Sequence, residues 1–457
     1  VVSVPRLVIA GTASGVGKTT VATGLMAALS RRGLRTAGFK VGPDFIDPSY
    51  HALATGRPGR NLDGFLSGKD LIAPLFLHGA RDAEIAVVEG VMGLYDGKAG
   101  ARELASTAQV AKLLRAPVVL VVDAGAMARS VAAVVHGFAS YDPWVRVAGV
   151  VLNRVGSARH EQMLREALGP LDIPVLGVLG RHHELSTPER HLGLVPVAEH
   201  EPQARRAIDA MASVVAEQCD LDALAALSRG AGRLLARPWD PEEEVAGADV
   251  AASWIAVAGG PAFSFRYEEN LELLRAAGAE LAVFDPLRDR GLPEGAGALY
   301  LGGGFPEEHA GELSGNSSLR TEVAEFARSG HPVIAECGGL LYLGRELDGA
   351  PMCGVLDFAA GMTARLRLGY REAVAAADSA LWAAGDRVAG HEFHYSALRP
   401  PAGPYPAWRM TDSRGEREEG FVAGGVHASY LHTHWAATPH AAARLAAAAG
   451  RRPAAAL

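Results

Sequence analysis

Leu7-Val8-Ile9-Ala10-Gly11-Thr12-Ala13-Ser14-Gly15-Val16-Gly17-Lys18-Thr19-Thr20 decides the fold of the first half of this chain. The short apolar run Leu7 to Ala10 reads as a buried strand, the glycines as a turn, and Thr20 to Arg32 as a helix with apolar residues at helical spacing. In that strand–turn–helix context Gly15, Gly17, Lys18, Thr19 and Thr20 form an expected phosphate loop. Glycine-aimed backbone N–H groups cradle phosphate oxygens at the helix N-terminus, Lys18 reaches the terminal phosphates, and Thr19 can hold Mg²⁺. The spacing departs by one residue from the usual pattern, which wants a glycine where Thr12 stands and finds it at Gly11. A merely tight strand–helix turn is the plain alternative.

Outward from that loop, β-branched runs alternate with helical stretches: Thr36 to Val41, Ile85 to Glu89, Val118 to Asp123, Val147 to Asn153 and Val175 to Leu179, with a further helix at Ala105 to Leu114. Continuous apolar strands between helices imply a parallel sheet covered on both faces, hence an α/β fold with a doubly wound N-terminal phosphate-loop domain over residues 1–230. The prolines and acidic run of Arg237 to Glu244 break all periodicity, so 231–252 reads as a linker. A second α/β series over 253–457 begins with Ile255 to Ala258, Leu281 to Phe284, Ala298 to Leu301 and Val333 to Ala335. Turn-punctuated strands follow around Gly361 to Glu372, His391 to Ser396 and Gly420 to Trp435. The Ala-rich end, Ala441 to Leu457, reads as a surface helix with a frayed terminus.

Composition narrows the function. The 457 residues, 49% hydrophobic and 21% charged, suit two sizeable globular cores. A net charge of -7 without a basic tract argues against nucleic acid and for a small-molecule substrate. Three widely spaced cysteines read as reduced thiols, no apolar run reaches the roughly 18 residues of a membrane helix, and the N-terminus carries no basic leader. The expected compartment is the cytoplasm, with no membrane partner.

A phosphate loop needs acidic partners. Glu89 ends an apolar strand where a carboxylate reaches Mg²⁺ directly or through water. Asp44 and Asp47, in the stiff run Lys40-Val41-Gly42-Pro43-Asp44-Phe45-Ile46-Asp47-Pro48, are candidates for Mg²⁺ or for a substrate carboxylate, and Lys40 for neutralising phosphate charge. Asp beside Pro is also a common turn former. Asn153, at the end of another strand, is a candidate contact for the adenine edge. The His/Glu-rich run from Gly180 to Leu194 matches no common zinc spacing. It reads as a loop near nucleotide or as a solvated face.

The second half offers a thiol. Cys337 lies between the strand-like Val333 to Ala335 and a helix-like run from Leu340, with Gly338 and Gly339 between. Such a corner exposes a nucleophile, and the helix N-terminus lowers the thiol pKa and offers N–H donors to an oxyanion. Gly303 and Gly304, at another strand end, and Gly338 are the expected donors. His432 and His434 are the candidate bases, although strand histidines are by default satisfied core groups. Cys219 and Cys353 read as small core hydrophobes.

With these residues in place, the chain resembles the cobyrinate or hydrogenobyrinate a,c-diamide synthases of the cobalamin pathway over essentially its full length. The resemblance rests on Gly11 to Thr20, Gly42 to Pro48, Asn61-Leu62-Asp63, Val88 to Gly97, His191 to Leu194, Tyr300 to Glu307, Glu336 to Gly339, His391 to Ser396 and Tyr430 to His434. It implies a dethiobiotin synthetase-like ATP-binding domain and a class I glutamine amidotransferase-like domain. It also implies ATP and Mg²⁺ as cofactors, and glutamine and a corrinoid polycarboxylate as partners; a homodimer is compatible with it. Cys337 would release ammonia from glutamine, and the ammonia, travelling inside the protein, would displace phosphate from an acyl phosphate made in the first domain. Asp44, Asp47 and Glu89 would handle metal and substrate carboxylate. His432 takes the place of the family's base. Where ordinary class I amidotransferases continue His-x-Glu, the third position here is His434, so the roles of the two histidines stay open. Cobyric acid synthase and nickel-sirohydrochlorin a,c-diamide synthase are neighbouring readings. From another class, a partition-type ATPase switch would carry a further Lys early in the loop, where Thr12 and Ala13 stand, and a sensor would have a dead thiol domain.

Overall fold

The computed structural model describes residues 3–181, 189–190, 193–247, 252–412 and 415–451. It divides into two compact units, Val1–Trp239 and Asp240–Leu457. The first is built on strands β1 (Arg6–Gly11), β2 (Thr36–Val41), β3 (Arg60–Leu62), β4 (Ile85–Glu89), β5 (Val118–Asp123), β6 (Val147–Val155) and β7 (Val175–Gly180). They form one parallel sheet in the order β3-β2-β4-β1-β5-β6-β7. Every residue of β1, β2 and β4 is buried, which is why these strands read as unbroken runs rather than alternating ones. Helix α1 (Lys18–Arg31) follows the glycine turn and α2 (Ile46–Thr55) follows β2. Parallel pairing sets Ile9 and Lys40 in register with Glu89, and Asp123 with Asn153. Polar residues from four strands therefore collect at the carboxyl edge beside the loop after β1. β3 was not evident from the sequence, being a three-residue edge strand that opens on Arg60. A small antiparallel ribbon pairs β8 (Glu189–Arg190) with β9 (Gly193–Leu194).

Residues 231–239 lie against this unit. Leu234 and Trp239 are buried, Gly232 N–H donates to Arg115 O at 2.9 Å and Trp239 N–H donates to Pro74 O at 3.0 Å. The buried Arg6 guanidinium donates to the carbonyls of Val4, Leu114 and Gly232. The second unit begins at Asp240, which caps the short helix Pro241–Glu244.

Its strands are β10 (Ser253–Ala258), β11 (Ala279–Phe284), β12 (Ala298–Leu301), β13 (Val333–Glu336), β14 (Glu346–Leu347), β15 (Ala350–Pro351), β16 (Ala359–Ala375), β17 (Arg387–Arg399), β18 (Trp408–Asp412), β19 (Gly415–Glu419), β20 (Phe421–Ala423), β21 (Val426–Ser429) and β22 (His432–Thr433). One sheet runs β11-β10-β12-β13-β21-β20, parallel except for the antiparallel β20. The second, of seven strands, is mainly antiparallel and is dominated by the long pair β16 and β17, with β22 on its far side. The change of character read after Cys337 is this second sheet. The Ala-rich end forms the helix His440–Ala449, which buries Ala441, Ala442, Leu445, Ala446 and Ala449. It is a packed element with a buried stripe, more than a surface helix. Among the described residues no helix is long and apolar enough to cross a membrane.

Candidate active sites

The loop after β1 has the geometry of an anion cradle. Gly15 and Gly17 take φ of 73° and 97°, a region where L side chains are strained. At Gly17 a Cβ would also run into the Asn153 amide. Asn153 Nδ2 donates to Val16 O at 2.8 Å and so braces the loop from β6. Lys18 Nζ donates to Ala13 O at 2.8 Å across the turn. Burial, followed by the neighbouring Lys40, pulls its ammonium down to about 8, against the carboxylates of Glu89, Asp47 and Asp96. Thr20 follows, half-buried, in the first turn of α1.

Beneath the loop lies a charged cluster. Glu89 is fully buried; its Oε1 accepts from Thr19 Oγ1 at 2.5 Å and from Lys40 Nζ at 2.9 Å, and its Oε2 pairs with His51 Nε2 at 2.7 Å. Lys40 Nζ also reaches Asp47 Oδ2 at 2.5 Å. Burial alone would push the Glu89 carboxyl up, but Lys40, with His51 and Thr19, overrides it and holds it far below the carboxylate range. Lys40 is itself held above its ordinary value: burial works against its charge, and Asp47 and Glu89 outweigh burial. Asp47 goes the other way, raised by burial and by the nearby Asp44 and Glu89 against the pull of Lys40. One ammonium cannot serve three carboxylates, so Asp47 is the one that most readily keeps a proton. Asp44 caps α2: its Oδ1 accepts from the backbone N–H of Ile46 and Asp47, and Asn61 Nδ2 donates to its carbonyl at 2.6 Å.

Thr19 Oγ1 and Glu89 Oε1 are adjacent hard oxygen donors at the foot of the loop. Mg²⁺ commonly takes one or two protein oxygens and completes its shell with phosphate and water. Among the described residues no cluster of three His, Cys, Asp or Glu could hold a metal alone. The Thr19 and Glu89 oxygens fit a metal bound together with nucleotide phosphates.

In the second unit Cys337 sits at φ 49° and ψ -101°, at the corner between β13 and the helix Gly338–Leu343. A non-glycine residue held there stores on the order of 1–3 kcal/mol of strain, a mark of nucleophile corners. Its N–H donates to Ser429 O at 2.7 Å, and its Sγ lies 3.9 Å from Phe393 O. Burial, and then Glu307, pushes the thiol above its ordinary value, while Gly338 N–H pulls it down. Gly304 approaches the same corner, its backbone N 3.0 Å from where a Cβ on Gly338 would stand. Gly303 does not fit the donor role expected of it. Its N–H donates to Phe265 O at 3.0 Å, and its missing Cβ makes room for the His432 ring.

The two histidines are differently engaged. His434 Nδ1 accepts from Ala436 N–H at 3.4 Å, its Nε2 lies 3.5 Å from Glu269 Oε2, and its ring packs on Tyr267 with centroids 4.7 Å apart. His432 lies against Gly303 and stacks on His391 at 4.9 Å, and its Nδ1 is 3.9 Å from Glu336 Oε2. Burial, then His394, pulls His432 down to about 3, so its imidazole rests neutral.

Several functional neighbours escaped the sequence reading. His51 stands four residues after Asp47 on α2, a spacing that puts both on one helix face. Glu336 stands directly before the thiol. Tyr300 and Thr433 hold Glu336, and Asn270 braces β22 by donating to Thr433 O at 3.0 Å and accepting from Trp435 N–H at 2.8 Å. The run His182 to Pro188 and the pair His191-Leu192 lie outside the described residues.

Residues 7–195 match the CobQ/CobB/MinD/ParA nucleotide binding domain, and residues 254–440 match the CobB/CobQ-like glutamine amidotransferase domain. The chain is 59% identical over 471 residues to a hydrogenobyrinate a,c-diamide synthase of Streptomyces coelicolor, covering 97% of each chain. It is 53% identical over 460 residues to one of Thermobifida fusca, covering 97% of this chain and 96% of that protein. A cobyrinate a,c-diamide synthase of Synechococcus is 44% identical over 443 residues, covering 95% of this chain and 96% of that protein.

Proposed function

We propose a reaction for this chain, which belongs to the hydrogenobyrinate and cobyrinate a,c-diamide synthase family and is a glutamine-dependent amidating ligase: ATP-driven amidation of two side-chain carboxylates of a corrinoid acid. The hydrogenobyrinate-named relatives are the more similar of those compared, which makes the cobalt-free acid the expected substrate. The observation that carries the reading is the coexistence, in one chain, of the braced phosphate loop over Thr19 and Glu89 with the strained Cys337 corner, directly preceded by Glu336, whose carboxylate lies 3.9 Å from His432 Nδ1.

In the first unit the loop N–H groups and Lys18 hold the phosphates of ATP. Thr19 and Glu89 would hold Mg²⁺, which would supply charge neutralisation on the phosphates. A substrate carboxylate oxygen attacks the γ-phosphorus and the bond to ADP breaks, giving an acyl phosphate. Ammonia attacks the acyl carbon and phosphate leaves. Lys40, fixed between Asp47 and Glu89, keeps the positive charge that this edge of the site needs, and Asp47, which most readily keeps a proton, can donate to the carboxylate being activated while Asp44 fixes the start of α2.

In the second unit His432 takes the Cys337 proton and the thiolate attacks the side-chain amide carbon of glutamine. Gly304 and Gly338 N–H groups steady the oxyanion. His432 returns the proton to the leaving nitrogen, ammonia departs, and water, deprotonated by the same imidazole, cleaves the thioester to glutamate. The reduced thiol this requires agrees with a reducing compartment, the cytoplasm; all three cysteines are free.

The test is incubation with ATP, Mg²⁺ and glutamine plus hydrogenobyrinic or cobyrinic acid, with products read by mass. The expected result is a loss of about one mass unit per amidation, two in all. No change with either acid overturns the substrate assignment.

A further inference from the structure

We propose that Glu336 is the positioning carboxylate of the thiol centre, supplying from β13 the group that a His-x-Glu pattern would place where His434 stands. The inference rests on the glutaminase reading of Cys337 and His432, and on contacts that neither the family likeness nor the relatives' names supply.

The carboxylate is fixed from two sides. Glu336 is 5% exposed, and its Oε1 accepts from Thr433 N–H at 3.3 Å and from Thr433 Oγ1 at 2.9 Å. The direction of that hydroxyl is set by Trp435, whose Nε1–H donates to Thr433 Oγ1 at 2.9 Å and leaves the Thr433 proton for Glu336. Oε2 accepts from Tyr300 O–H at 3.2 Å and faces His432 Nδ1 at 3.9 Å. Thr433 N–H is obligatorily a donor, so Glu336 Oε1 serves it as an acceptor. The same carboxyl thus holds the backbone and hydroxyl of Thr433 and faces the ring of His432, the two residues of β22.

Facing a carboxylate, Nδ1 of His432 carries the hydrogen and Nε2 keeps the lone pair that removes the thiol proton. The resting 3.9 Å is too long for a hydrogen bond; catalytic contacts of this kind tighten when substrate binds. Once His432 has become an imidazolium, Glu336 is the anion that stabilises it. His434 cannot take that part, because its own ring is directed to Glu269 and Tyr267.

The test compares Glu336→Gln with the wild-type chain. Glutaminase kcat is expected to fall by about 10²–10⁴-fold, the range for losing acid–base assistance, with KM for glutamine within about threefold and the rate with free ammonia unchanged. A second readout, independent of any variant's folding, is the ¹⁵N shift of His432 in the wild-type protein, expected to report the Nδ1–H tautomer. A kcat within about threefold of wild type, or the Nε2–H tautomer, overturns the role of Glu336. Absence of glutaminase activity in the wild-type chain overturns instead the reading on which the inference rests.

Discussion

The first unit buries the Glu89–Lys40 pair and keeps it charged; the second buries its thiol and its imidazole and keeps them neutral. Glu89 and Lys40 lose as much water as Cys337 and His432, yet Lys40 pins Glu89 low, and Asp47 together with Glu89 holds Lys40 high. Cys337 is pushed up and His432 down because burial acts there without an adjacent counter-charge strong enough to oppose it. The difference follows the chemistry proposed for each. Phosphate and carboxylate substrates arrive charged and need fixed opposite charge. Glutamine presents a neutral amide, and a thiol–imidazole pair that ionises only in the act loses less to desolvation.

The sharpest way to break the comparison is to silence one centre at a time. Cys337→Ala is expected to reduce glutamine-dependent amidation by at least roughly 10³-fold while leaving amidation with free ammonia. Lys18→Ala is expected to reduce amidation from either nitrogen source by roughly 10²–10³-fold while glutamine hydrolysis persists. Measuring both variants with both donors tests whether the labour is divided as proposed; loss of ammonia-dependent activity in Cys337→Ala would give the thiol a second role. Next in size, His432→Ala should lower glutamine hydrolysis by about 10²–10⁴-fold, and His434→Ala by less than about tenfold. The reverse order would move the base to His434.

Stability sharpens the same contrast. Lys40→Met strands Glu89 and Asp47 without their ammonium and should cost about 3–5 kcal/mol, read as a lowered thermal midpoint. In the second unit the buried His427 is pulled down to about 4 by burial. Between pH 4 and 6.5 the unfolded chain binds that proton and the folded chain does not. Its contribution is therefore present above about 6.5 and lost as pH falls to about 4. His427→Gln should lose less stability than wild type over that window, the gap widening by roughly 1.4 kcal/mol for each pH unit descended, read from hydrogen exchange in β21. Glu336 and Glu419, raised by burial to about 7, work oppositely: their contribution falls as pH rises from about 4.5 to 7.

What could be read from the chain was what neighbours in sequence decide. The phosphate loop, Glu89 at a strand end and Cys337 at a glycine corner are local patterns of strand, turn and helix. Glu336 was in plain view beside the thiol, but its meaning lay in Thr433, 97 residues away. His51 showed a helical spacing from Asp47 but no sign of Glu89. Gly303 looked like a donor because its glycine context did; only the pairing with Phe265 reveals that its N–H is taken. The histidines, two residues apart, were indistinguishable until Gly303 and Glu336 claimed one and Glu269 the other. Register between sheets, not local preference, makes these distinctions, and a one-residue slip would exchange the faces of a strand.

The corner and its proposed base belong to different sheets: Cys337 directly follows β13 in the parallel one, and β22 brings His432 in pairing with β17. During synthesis the thiol therefore leaves the ribosome well before its base exists. Until β22 pairs with β17, the proposed thiol centre lacks the strand that carries its proposed base. On the reading proposed above, glutamine hydrolysis is therefore the last property the second unit acquires as it assembles, and an incomplete copy of that unit lacks it.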